Sequence, residues 1–160
     1  AGLMAYDWGD FRLLFFGPDE FDRPELMDPK FLRDLDQLRA RCGFPLTITD
    51  DARNQEDLNR IYAREIAKGQ SYPRDSAHLH LAGGPLVRSV DLKPSPPRAS
   101  DGSDLSLEER ELELSFQVLT LWKDGRWPKL GFGIETGHWH IDDTPRLVGK
   151  RPAFWVAVSR

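Results

Sequence analysis

Cysteine is almost absent: Cys42 is the only one in 160 residues. No internal disulfide can form and cysteine-based zinc sites are excluded, so any metal must be held by histidine and carboxylate. Histidine is scarce as well, with four in the chain. No basic block occurs and the net charge is −4, which leaves no electrostatic footprint for nucleic acid, and no such partner is expected. The apolar runs fall far short of a membrane span. Missing too are the His-Glu-x-x-His of the common helical zinc proteases and the Gly-x-Ser-x-Gly elbow of serine hydrolases. Cys42 sits in a helical pattern with no histidine beside it, so a cysteine nucleophile is not expected. Gly83-Gly84 is not a phosphate loop. Internal repeats and a signal-peptide pattern are also lacking. Ala1-Gly2-Leu3 ahead of Met4 reads as a remnant preceding a native start at Met4.

What is present suits an ordinary globular chain, 39% hydrophobic and 30% charged. The length fits one domain over residues 1–160 with one core. The aromatic opening (Tyr6, Trp8, Phe11, Phe15, Phe16) predicts a short strand near Phe11–Phe16 and then a turn, with Phe21 on the core. Asp28-Pro29 is an N-cap followed by proline at the first helical position. Phe31, Leu32, Leu35, Leu38 and Cys42 keep helical spacing until Gly43. Leu46–Thr49 predicts a strand running into Asp50-Asp51-Ala52-Arg53. Arg53 there can clamp a carboxylate with its planar fork, or pair with Asp50 or Asp51. Gln55–Lys68 predicts a second helix with Leu58, Ile61, Tyr62, Ala63 and Ile66 near one face, and residues 70–75 a loop. A strand follows over Val87–Leu92, then a proline-rich loop to residue 103. Ser106–Glu109 matches a capping box. It opens a third helix to about Trp122, with Leu112, Ser115, Phe116 and Leu119 facing inward. Lys129–Ile134, His138–His140 and Phe154–Val158 predict the last strands, and Gly131, Gly133 and Gly137 imply a tight hairpin or close backbone approach. Helices and strands do not alternate regularly, so the fold class is α+β.

Every histidine lies in one of two short clusters. His138 and His140 are two apart, so on a strand they share a face. His78 and His80 precede Asp91. A catalytic zinc needs three protein ligands and an open position. The residues offer His78, Asp91, and one of His138 and His140. Glu135 is the carboxylate placed to take a proton from the attacking water.

Three ordered stretches, Ser76-Ala77-His78, Ser89-Val90-Asp91-Leu92 and His138-Trp139-His140-Ile141-Asp142, resemble the zinc D-alanyl-D-alanine carboxypeptidases and related peptidoglycan endopeptidases. That family shares its fold with the Hedgehog signalling domain. Leu46–Arg53 resembles the family's strand ending in arginine, and the resemblance extends from about Phe16 to Asp142. It implies a Hedgehog/DD-peptidase-like fold, a small antiparallel sheet packed with about three helices. The implied zinc ligands are His78, Asp91 and His140. His138 would act in the site as a hydrogen-bonding or oxyanion-stabilising group and Glu135 as general base. Arg53 and Ser76 would meet a substrate carboxylate. The implied activity is hydrolysis, by metal-activated water, of peptidoglycan peptide bonds involving D-amino acids. Such an enzyme would work as a monomer at the bacterial cell wall. The same fold also serves a second expectation, a non-catalytic metal-binding or structural module such as a phage-particle component. Twelve residues separate His78 from Asp91, more than the family's usual spacing, and this longer loop leaves His80 as a rival to His78.

Overall fold

A computed structural model describes residues 6–72 and 76–158, apart from the side chains of residues 146 and 148. The reading of residues 1–3 as a remnant, and part of the 70–75 loop, lie outside the described residues. The first helix, α1 (Pro29–Cys42), begins where Asp28 accepts the Phe31 N–H and ends at Gly43, whose φ of 77° is the left-handed turn that favours glycine. Its apolar face (Phe31, Leu32, Leu35, Leu38) is fully buried. The strand β1 (Leu46–Asp50) follows, and then α2 (Gln55–Ile61) and α3 (Ala63–Ala67). Beyond them come β2 (Ser89–Pro94), α4 (Leu107–Lys123), β3 (Gly131–Glu135), β4 (His138–Asp142) and β5 (Ala153–Ala157). The α+β class stands.

The strands make one sheet in the order β1-β2-β4-β3-β5. All its pairs are antiparallel except the last: β5 runs parallel to β3, so the wholly antiparallel sheet expected from sequence is corrected there. One face, with Val90, Leu92, Phe132 and Ile141, packs into the apolar core shared with α1 and α4. The opposite face carries Asp91, His138, His140 and Asp142, because side chains alternate along β2 and β4.

Three expectations fail for physical reasons. No strand forms at residues 11–16; its aromatics pack locally instead, Trp8 edge-on to Phe11 and Phe21. The predicted Gln55–Lys68 helix is broken at Tyr62. Only Leu58 of its apolar set is buried while Ile61 and Ile66 are exposed, and helices this short depend on packing of one face. The inward face of α4 also differs from the expected one. Leu112, Phe116 and Leu119 are exposed, and Arg110, Leu114, Val118 and Leu121 face the core. Both sets have helical spacing. The sheet takes the one containing Arg110, whose charge is met by Asp101 at 3.0 Å and whose guanidinium lies over the Phe44 ring. Ser115 is half-buried and accepts the Trp139 indole N–H at 3.1 Å.

Two glycines are required by close approach. A side chain at Gly133 would collide with the Trp155 ring, and one at Gly131 with Arg151 and Asp142. Both glycines clear the polar face of the sheet for residues brought in by β5.

Candidate metal centre

Three separate segments supply the site. His78 lies in a short stretch tied to the chain after β1: Arg53 N–H donates to the His78 carbonyl and His80 N–H to the Arg53 carbonyl, both at 2.7 Å. The His78 ring is fixed by donation from Nδ1 to the Asp51 carbonyl at 2.8 Å. That bond puts a proton on Nδ1 and turns Nε2 toward Asp91 Oδ1 at 3.3 Å.

Asp91 and His140 are register partners across β2 and β4. His140 Nδ1 lies 3.0 Å from Asp91 Oδ1. Its other nitrogen, Nε2, is 2.6 Å from Asp142 Oδ2. Asp142 is fully buried and is gripped by both arms of the Arg151 fork, at 2.8 and 2.7 Å. Each imidazole therefore has one nitrogen anchored by the protein and the other turned toward a single carboxylate oxygen. Anchored histidines of this kind are characteristic of metal centres, where the outer partner fixes ring orientation and basicity. His78, Asp91 and His140 offer donor atoms within 4.8 Å of one another, so this buried group can bind a metal.

The electrostatics follow from burial and pairing. Burial pushes Asp91 upward, but hydrogen bonds from His140 and His78 outweigh it and hold the carboxyl well below its ordinary range. Burial pulls His140 down, yet hydrogen bonds to Asp142 and Asp91 prevail and raise it to about 9. His140 is thus an imidazolium between two carboxylates, and a cation held at Nδ1 would have to replace its proton. Asp142, pushed up by burial, is held low by His140 and Arg151. Asp51, whose carbonyl anchors His78, has its own carboxyl raised to about 6 by burial.

Glu135 and His138, opposite each other in the β3–β4 hairpin, form the more exposed rim. His138 Nε2 lies 2.5 Å from Glu135 Oε2 and 3.6 Å from Asp91 Oδ2. The Trp155 indole N–H donates to Glu135 Oε1 at 3.0 Å, and its ring lies against His140. A cavity of about 490 Å³ opens beside Glu135, lined in part by Lys93, Pro94, Ile134, Trp139 and Val158.

Of the residues singled out from sequence, His78, Asp91, His140, Glu135 and His138 converge. His80 belongs to no such donor group among the described residues, which favours His78 over its rival. Arg53 is next to His78 through the backbone, but its guanidinium pairs with Asp50, the ion pair the sequence left open. It borders a polar cavity of about 400 Å³ that also touches Arg23 and Arg60. The Ser76 hydroxyl oxygen accepts the His78 N–H at 3.2 Å. The sequence reading gave no role to Asp142, Arg151, Trp155 or the Asp51 carbonyl. Alternation along His138-Trp139-His140-Ile141-Asp142 already puts Asp142 on the histidine face, so that one could have been found; Arg151 arrives through the parallel pairing of β5 and has no local signal. Comparison with known proteins adds no identity: no protein-family model, no curated protein and no solved structure matches this chain.

Proposed function

We propose that the protein is a zinc-dependent peptidase of the DD-peptidase type, cutting peptidoglycan peptide bonds that involve D-amino acids. The observation that carries this reading is the pair of anchored imidazoles turned on one carboxylate, with a second carboxylate and a third imidazole at the rim. Two imidazoles and a carboxylate, with no thiol in reach, form a donor set suited to catalytic zinc. His78 Nε2, Asp91 and His140 Nδ1 would hold the ion. When bound there, zinc supplies Lewis acidity, acidifying a water and polarising a peptide carbonyl.

The chain's own residues do the rest. Glu135, half-exposed and braced by Trp155, takes the proton of the attacking water and returns it to the leaving amine. His138 shares that proton through its contact with Glu135 and can donate a hydrogen bond to the carbonyl oxygen as charge develops. Arg53, in a cavity lined by Asp22, Asp50 and Asp57 as well as by Arg23 and Arg60, gives up Asp50 to pair with a substrate carboxylate, orienting the peptide. The D-amino-acid and cell-wall specificity rests on the resemblance of the three motifs.

The test is hydrolysis of purified peptidoglycan fragments by zinc-loaded protein, followed by mass spectrometry of the products. Cleavage lost in Glu135→Gln, with metal content retained, supports the assignment. A wild-type protein that binds zinc and cuts no wall peptide would point instead to a non-catalytic module.

A further inference from the structure

Asp91 presents its two oxygens to different partners. Oδ1 faces His78 and His140, whereas Oδ2 faces His138 Nε2 at 3.6 Å. Asp91, Glu135 and His138 make a second group of three donors, again within 4.8 Å of one another. His138 Nε2 and Glu135 Oε2 are hydrogen-bonded at 2.5 Å, in a place where a cation could take both as ligands. The side chains of this second group are 13%, 30% and 28% exposed, more open together than the first group.

From this we infer that the protein has a second, weaker divalent-cation site formed by Asp91, Glu135 and His138, and that its occupation shuts off the first. The inference rests on the metal-centre reading of His78, Asp91 and His140. Asp91 then bridges two cations, one oxygen to each. Uptake of the second ion replaces the hydrogen bond between His138 and Glu135 with one ligand bond from each, and the proton of that bond moves to His138 Nδ1 or to solvent, so atoms and charge balance without any further reactant. Glu135, once it ligates through Oε2 while Oε1 accepts the Trp155 indole N–H, has its basicity lowered by the cation and takes a proton from water less readily. Excess zinc therefore inhibits through the residue proposed as base. The second site is weaker because it shares Asp91 with a cation already bound, whose positive charge repels a second one at close range.

The experiment is a zinc titration followed by calorimetry and by equilibrium dialysis with elemental analysis. Wild type is compared with His138→Ala, Glu135→Gln and His78→Ala. The expected result is two equivalents in wild type, one tight and one weak, the weak one bound at least tenfold less well in His138→Ala and in Glu135→Gln, while the tight one persists. In His78→Ala the tight equivalent is lost. Circular dichroism confirms that each variant is folded; His138→Gln replaces His138→Ala if the latter is not. A wild type that takes one equivalent only, or a weak equivalent unchanged in both rim variants, overturns the second site and leaves the metal centre standing. A wild type that takes none overturns both.

Discussion

Arg151→Met removes the outermost support of the candidate metal centre while roughly keeping the length and apolar stem of the side chain. Arg151 holds fully buried Asp142 through two bonds of 2.8 and 2.7 Å, and Asp142 holds His140 Nε2 at 2.6 Å. Deleting one member of a buried ion pair leaves a buried charge uncompensated and costs about 3–5 kcal/mol. Here His140, charged in the metal-free protein, still compensates part of it, so the lower figure, about 3 kcal/mol, is expected. For a chain of this size that lowers Tm by about 6–12 °C. The metal-bound protein suffers differently. His140 is then neutral, Asp142 has lost its cation, and the ring is less firmly aimed; the loss of an outer partner weakens metal binding about 10–100-fold. Removing a positive charge also strengthens the hold on the His140 proton, which works against the metal in the same direction. Differential scanning calorimetry of metal-free protein and zinc competition against a chromophoric chelator measure the two effects. Arg151→Lys, a point charge without the fork, should fall between wild type and Arg151→Met. Wild-type Tm and zinc affinity in Arg151→Met would refute the chain of support from Arg151 to the metal.

Zinc affinity should rise with pH, roughly tenfold per unit between the ordinary histidine value near 6.5 and about 9, and then level off, because the ion must displace the proton of His140. The sign for the metal-free protein is opposite: stability from charged His140 is complete below the unfolded value and lost as pH rises through about 9, so its Tm should fall over that interval. Gly133→Ala should cost about 1–3 kcal/mol and alter the near-UV circular dichroism, since the added methyl displaces Trp155 and breaks its bond to Glu135; an unchanged spectrum and Tm would contradict the close packing. Asp57 is held at about 2 by Arg23, which binds it at 2.8 and 3.1 Å, against an ordinary 3.8. Its stabilisation is complete above the unfolded value and lost as pH falls toward about 2, so Asp57→Asn should cost about 1–2 kcal/mol at neutral pH and nothing near pH 2 in urea unfolding.

What could be read from the sequence was local. The Asp28 cap, the Gly43 stop and the Ser106–Glu109 box are signals within a few residues, and the helices begin or end there. The two-residue alternation of His138 and His140 placed both on one face before any pairing was known. What could not be read depends on pairing at a distance. Which oxygen of Asp91 meets which histidine follows from the β2–β4 register, and Arg151 and Trp155 reach the site only because β5 lies parallel to β3. The face of α4 was ambiguous because two stripes share its period, and the buried Arg110 marks the inward one only once Asp101 and Phe44 are seen beside it. The long stretch between His78 and Asp91 obscured the spacing but not the geometry, since the backbone bonds to Arg53 bring His78 back to the sheet.

The central claim is that His78, Asp91 and His140 hold one metal ion. Elemental mass spectrometry of the purified protein, offered zinc and then dialysed against metal-free buffer, tests it most directly, alongside His140→Ala and Asp91→Ala. The account predicts one tightly held zinc in the wild type and none in either variant. A folded wild type that retains no zinc, or variants that retain as much as it does, would contradict it.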